Sequence, residues 1–285
     1  MLDFQLFRLK VVRPVQEHLF DNELSNIEAV IAVIAEKPSG ELRRGHFWHI
    51  GNVEFLPNGG IYFRLGRTTK ATVSLYDEKA KDFQEREFEN APYTHVLVDP
   101  AIGLCAIARK YQLAPKPEGI ARQLQRLLFR SGVARAAGLG FTVAPLSDPT
   151  DFLAQLDRAY AVVSFAMTFS RPNPFDAEAL IQRPMEALLQ QTDGTDARAV
   201  LHGEQLEVDV LKDLTVSVAA TGNDAVAKLR YEPNAPVVRR SLRDRAIFFA
   251  LEGLEAVGDM VEALDQMRTA FRHIRERSDD ENGNG

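Results

Sequence analysis

Cysteine is almost missing from this chain: Cys105 is the one thiol in 285 residues. A lone cysteine excludes an intramolecular disulfide, and within the string IGLCAIA it reads as a small hydrophobe on a buried strand, so a reducing compartment is expected. Long apolar runs are missing too. No window approaches the roughly 18 residues of a membrane-spanning helix, and the opening MLDFQLFRLK lacks the basic region and apolar stretch of a secretory leader. A cytoplasmic protein is the expectation. Positive charge is not in excess either: 34 Lys and Arg stand against 40 Asp and Glu, a net charge of −6. That balance weighs against wholesale binding of polyanions and leaves local basic patches to carry any such role.

Catalytic signatures are equally scarce. There is no GxSxG, SxxK or GxxxxGK[ST] pattern, and no Cys with a placed His. The segment Gly132–Gly140 has neither the GxGxxG order nor a preceding strand and reads as a loop between domains. His46 and His49 are the one close histidine pair, but their spacing puts them on opposite faces of a strand and no carboxylate or cysteine cluster completes a site, so neither metal nor cofactor is expected. Asp99 with Lys110, or Asp224 with Lys228, would be the anchors of a metal-dependent nuclease, a reading that needs several converging carboxylates.

What is present is an ordinary globular composition, 45% hydrophobic and 26% charged, enough to bury real cores. Leu2–Val12 alternates as a half-buried strand, and Asn22–Glu36 places Leu24, Ile27, Val30, Ile31 and Ile34 on one helical face before the breaker Lys37-Pro38-Ser39-Gly40. Between Arg44 and Lys110 short β-rich runs separated by turn residues predict a largely antiparallel meander, with FRLGRTTK in a hairpin, and Glu118–Arg130 predicts a closing helix. Further on, the pattern gives strand Phe141–Ala144, helix Thr150–Leu156, strand Ala161–Phe169, a break at Arg171-Pro172-Asn173-Pro174, helix Asp176–Gln191, and strands near Thr215–Ala219 and Val226–Tyr231. From Ser241 to Arg277, Ile247, Leu251, Leu254, Val261, Leu264, Phe271 and Ile274 recur at helical spacing behind a capping box of Ser241 and Asp244. The expected class is α+β: an N-terminal β-meander domain with helices over residues 1–138, a second α+β domain over 139–277 ending in a long amphipathic helix, and a disordered acidic tail over 278–285. That helix would pack along its own chain or pair with a second copy.

Basic residues cluster in four places. Arg122, Arg126 and Arg130 fall at i, i+4 and i+8 opposite Ile120, Leu124, Leu127 and Leu128, so three guanidinium groups share an exposed stripe. Arg64, Arg67 and Lys70 lie beside the hydroxyls of Thr68 and Thr69, Arg43 and Arg44 precede the same sheet, and Arg239, Arg240, Arg243 and Arg245 crowd the start of the last predicted helix. Segregation of this kind in an acidic chain is a condition for gripping phosphates.

The order of elements also carries a resemblance. The meander ending in THVLVDPAIGLCAIARK, the segment FTVAPLSDPTDFLAQLDRAYAVVSFAMTFSRPNPFDAEAL with its turn Val143-Ala144-Pro145-Leu146, and LTVSVAATGNDAVAKL together resemble the RexA-like phage-exclusion family over roughly Arg44 to Tyr231. The resemblance implies a homodimer that grips double-stranded DNA without sequence preference and acts in antiviral defence beside a membrane or effector protein encoded nearby. It assigns no individual contact residue; the arginine candidates come from patterning. An alternative from another class is a protein-interaction subunit whose acidic surface meets a partner protein without DNA.

Overall fold

The alternation of Leu2–Val12 does form a strand, β1, and its two faces enter two different cores. Phe4 and Leu6 point one way and Phe7, Leu9 and Val11 the other, all buried. A strand buried on both faces needs a layer on each, and that requirement organises the whole molecule.

The computed structural model describes residues 1–13, 24–170, 182–192 and 194–276. After β1 come α1 (Asn26–Ala35), β2 (Ser39–Arg43), β3 (His46–Phe55), β4 (Ile61–Asp77), β5 (Asp82–Asn90), β6 (Tyr93–Asp99), β7 (Leu104–Ala108), α2 (Pro117–Arg130), α3 (Gly132–Ala136), β8 (Gly140–Pro145), α4 (Thr150–Asp157), β9 (Ala161–Ser170), α5 (Gln182–Gln191), β10 (Asp196–His202), α6 (Val208–Ala220), β11 (Asp224–Arg230), β12 (Val238–Ser241), a 3-10 turn Leu242–Asp244, β13 (Phe248–Leu251) and α7 (Val257–Glu276). The class is α+β. Nine described strands make a curled antiparallel sheet in the order β13-β1-β7-β6-β4-β3-β2, with β5 on the outer half of β4 and β8 on β1. A second sheet runs β10-β9-β11-β12.

One face of the large sheet, carrying Phe7, Trp48, Ile61, Phe63, Val96 and Cys105, is closed by Val30 and Val33 of α1, Ile120, Leu124 and Leu127 of α2 and Ala134 of α3. The other face, carrying Phe4, Leu6, Tyr62, Leu97 and Leu104, meets α7 and the second sheet with α4 and α6. Each fully buried Leu, Ile or Phe contributes about 1.5–3 kcal/mol. Both cores draw on residues from either side of residue 138, since β8 and β13 add to the sheet that β1 begins and α7 packs under it. A division at residue 138 therefore coincides with no break in the sheet.

Burial also fixes the chemistry of Cys105, which is fully enclosed in β7 and whose thiol is pushed above its ordinary range by loss of water. We expect no reaction with an aromatic disulfide reagent under native conditions and one equivalent after denaturation, read by absorbance; native labelling at the denatured rate would contradict this burial.

Several segments depart from the sequence expectation. Thr215–Ala219 is not a strand but part of α6, where Leu211, Leu214, Thr215, Val218 and Ala219 are buried at i, i+3, i+4, i+7 and i+8. The Thr215 hydroxyl donates to the Leu211 carbonyl at 2.7 Å, which lets a β-branched residue sit inside a helix. The stretch from Ser241 is not one long helix. Its front half becomes the 3-10 turn and β13, because pairing of Phe248–Leu251 with Gln5–Leu2, and stacking of Phe249 on Phe4 at 5.2 Å, override the helical spacing. The capping box of Ser241 and Asp244 is present but opens the 3-10 turn, and the helix starts only at Val257. Gly132–Gly140 holds a short helix rather than a loop, capped by Ser131 and by Glu36, whose carboxylate accepts from the amides of Gly132 and Val133. FRLGRTTK runs straight through β4 instead of turning. In α1 the buried face is Ala29, Val30, Val33 and Ile34, with Leu24 and Ile27 exposed, and β10 carried no clear signal. The proline-rich break at 171–174, the start of the helix predicted from Asp176 and the tail at 278–285 lie outside the described residues.

The α7 helix is held to its own chain. Met260, Ala263, Leu264, Met267 and Phe271 are buried in the core, and Arg268 donates to the Asp99 carboxylate at 2.7 Å and to the Asn58 carbonyl at 2.9 Å. Asp99 is 2% exposed.

Candidate nucleic-acid interface

The α2 helix has a clear start and stop: Pro117 at its first position, Glu118 in the first turn and Arg130 in the last, each favourable at that end of the helix dipole. Its apolar residues Ile120, Ala121, Leu124, Leu127 and Leu128 are buried, which turns Arg122, Arg126 and Arg130 outward, and all three are exposed. The expected stripe exists.

The curl of the sheet brings β2 to one flank of this stripe and β1 with β8 to the other. Arg130 donates from Nη1 to the Glu41 carbonyl at 2.6 Å and lies over Gly40, where an added Cβ would come within 3.1 Å of that nitrogen. Glycine at position 40 is what lets the guanidinium rest flat on the strand. Arg126 and Arg130 then share a cleft of about 590 Å³ with Val12, Leu42, Phe129 and Phe141. Arg43 and Arg44 follow Leu42 directly and are exposed. Arg43 and Arg44 thus sit at the end of the strand that flanks the α2 stripe, outside the lining of the cleft itself.

The nearby acids are committed elsewhere. The Glu41 carboxylate accepts from the Gly45 amide at 2.6 Å. Glu36 is held below the usual carboxylate range by the backbone amides of Gly132 and Val133. Both act as local caps rather than as ion-pair partners of Arg126 or Arg130.

The other two patches lie elsewhere. Arg64 is on the opposite face of the large sheet from α2, over the ring of Tyr93 at 4.5 Å. Arg67 shares the α2 side with Trp48, its cross-strand partner, and donates to the Gln112 carbonyl at 3.0 Å. Lys70 is on the β4–β5 ribbon, 3.3 Å from Glu87. Arg239 and Arg240 belong to the second sheet and Arg243 to the 3-10 turn after it: Arg243 is 3.6 Å from Asp224, and Arg240 lies 6.0 Å over Tyr231. Burial raises the Asp224 carboxyl, opposed by Arg243. These residues form no common groove with the α2 stripe.

No protein-family model matches the chain, and no curated protein matches it. The site itself is therefore what speaks to function. Among the described residues no three of His, Cys, Asp and Glu gather to hold a metal. Asp99, one proposed nuclease anchor, is engaged by Arg268, and Asp224, the other, faces Arg243. No described helix is long and apolar enough to cross a membrane.

Sequence reasoning missed the apolar half of the cleft. Phe129 is 59% exposed, among the arginines rather than in the core. The signal was there: Phe129 falls out of phase with the apolar face set by Leu124, Leu127 and Leu128. Leu42, Val12 and Phe141 could not be found this way, because only the curl of the sheet brings them together.

Proposed function

We propose that this chain binds double-stranded DNA without sequence preference, through the phosphate backbone, as a component of a phage-exclusion type of defence. The observation that carries the reading is the exposed stripe of Arg122, Arg126 and Arg130 on α2, two of them lining one cleft, with Arg43 and Arg44 exposed at the end of the flanking β2, in a chain whose net charge is −6. Guanidinium groups spaced one helical turn apart repeat about every 6 Å, close to the spacing of successive phosphates along one strand, and each one that neutralises a phosphate releases counterions. Such contacts position a protein on a duplex and carry no sequence information. The setting comes from the resemblance of the sequence to the RexA-like family, part of whose element order is altered here by α6.

In this reading the protein acts as a dimer, and the groove of about 600 Å³ beside α7, walled by Phe249, Val261 and Ala270, is the surface on which a second copy would bury apolar area. Dimerisation would double the arginine stripe and explain useful affinity from a modest patch. Sedimentation of the purified chain tests this point: a dimer that dissociates on Val261→Asp supports it, and a monomer at high concentration overturns it. The DNA reading is tested by retention of a labelled random duplex at low salt, where loss of signal against an equally acidic control protein is the contrary result.

A further inference from the structure

The large sheet also carries a cluster of exposed aromatic and half-buried basic side chains on the face away from α2. Tyr62 and Leu97 on this face are sealed by α7. One residue pair further along the strands the cover ends: Arg64 and His95 are half-buried, and beyond them Tyr93 is 39% and Phe47 48% exposed. The strand register places these side chains in ordered rows across β6, β4 and β3. Tyr93, Gly66 and His49 form one row, His95, Arg64 and Gly51 the next, and Thr68 with Phe47 close the far end.

Two glycines lie in these rows, Gly66 closed over by β6 and Gly51 open. A Cβ on Gly66 would come within 2.8 Å of the Pro92 carbonyl and 3.0 Å of the Tyr93 Cβ, so position 66 stays bare for β6 to close in. A Cβ on Gly51 would meet nothing within 4 Å, so the space above it is open. With strands about 4.8 Å apart and rows about 6.7 Å apart, the trough measures about 10 Å by about 13 Å, the footprint of one or two flat heterocycles.

Its walls suit such a ring. Tyr93 on β6 and Phe47 on β3 offer aromatic faces on opposite edges in adjacent rows, and Arg64 stacks on Tyr93 at 4.5 Å. The polar edge is pre-organised. Arg64 donates to the Tyr62 hydroxyl at 3.4 Å, and that hydroxyl lies 2.8 Å from Nδ1 of His95, which fixes the ring on this face. Burial first, then Arg64 and Lys110, lower the affinity of His95 for a second proton. His49 and Thr68 are joined at 2.9 Å on the opposite wall. Arg64 and Lys110 supply positive charge beside the rings. Beyond the ends the sign changes: Glu54 shares a cross-strand pair with Tyr62, and Glu87 and Glu89 stand opposite Thr72 and Lys70 on the ribbon. A long strand laid along the face would meet these carboxylates, so the trough takes one or two bases and not a continuous track.

We propose that this trough is a nucleobase-binding site, stacking a base between Tyr93 and Phe47 with its phosphate toward Arg64 and Lys110. The base is carried either by an unpaired position in a nucleic-acid strand or by a free nucleotide. The inference rests on the nucleic-acid reading of the chain only in its choice of ligand class; the two surfaces lie on opposite faces of the sheet and fail independently.

The test uses the full chain and three probes, a labelled random duplex, a labelled single-stranded oligonucleotide and unlabelled mononucleotides, the last by calorimetry. Two variants alter the trough. Phe47→Ala with Tyr93→Ala removes the stacking faces, and Gly51→Leu fills open space without displacing a neighbour. Both should weaken single-strand binding about tenfold or more and leave duplex binding unchanged. Binding of mononucleotides, lost in the same variants, assigns the site to free nucleotides; binding of the oligonucleotide alone assigns it to unpaired strand. Duplex binding with neither single strand nor mononucleotide bound, or single-strand binding that both variants leave intact, overturns the trough while sparing the duplex reading. Trough-dependent binding with no duplex bound does the reverse.

Discussion

Arg122→Glu, Arg126→Glu and Arg130→Glu together should remove duplex DNA binding at moderate salt, while circular dichroism and melting temperature stay near those of the parent. The three side chains are exposed and turned away from the core, so reversing them costs little stability. Arg130 alone has a hydrogen bond to lose, the one to the Glu41 carbonyl. Each phosphate contact lowers the logarithm of the binding constant by about 0.9 per decade of salt, so losing three should flatten the salt slope by about three. The opposite control is Arg239→Glu with Arg240→Glu, on the second sheet. If that pair weakens binding as much as the α2 triple, phosphates are gripped by the acidic chain's overall arrangement of charge and not by the α2–β2 surface.

The second large effect is on stability. Arg268→Ala should destabilise the fold by about 3 kcal/mol, because it leaves Asp99, 2% exposed, without its counter-ion and frees the Asn58 carbonyl. Asp99 keeps the amides of Ala101 and Ile102 as donors, which holds the loss near the lower end for a broken buried pair. For a chain of this size the melting temperature should fall by about 6–12 °C. Arg268→Met, which keeps the packing of the stem, should recover little of it. A melting temperature within about 1 °C of the parent would show that α7 is held by its apolar face alone.

The sequence made the local elements legible where period and burial agreed. Leu2–Val12 and Glu118–Arg130 formed as strand and helix where the spacing predicts, the strand buried on both faces instead of one; the meander from His46 to Ala108 formed with β4 unbroken where a hairpin was expected, and the arginine stripe of α2 followed from the position of Ile120, Leu124, Leu127 and Leu128. It failed where a distant partner decides the conformation. Phe248–Leu251 reads as helix until β1 offers an edge to pair with, and Thr215–Ala219 reads as strand until Leu211 and Leu214 show which residues are buried with it. The same holds for the sites. β2 reaches the α2 stripe only because the sheet curls, and the trough around Gly51 and Gly66 is invisible without the register that aligns Tyr93, His95 and Arg64 with His49 and Phe47. A histidine three residues from another was legible as unfit for a metal; that His49 faces an open aromatic trough was not.

The most direct test of the central claim is the affinity of the unmodified protein for a labelled random-sequence duplex, measured by anisotropy from about 50 mM to about 200 mM salt. The account predicts binding at the low end that weakens steeply, with a log–log slope of about −4 to −5 if five arginines each meet a phosphate. No binding at about 50 mM salt, or an affinity that does not change with salt, would contradict it and favour a protein partner for the arginine surface.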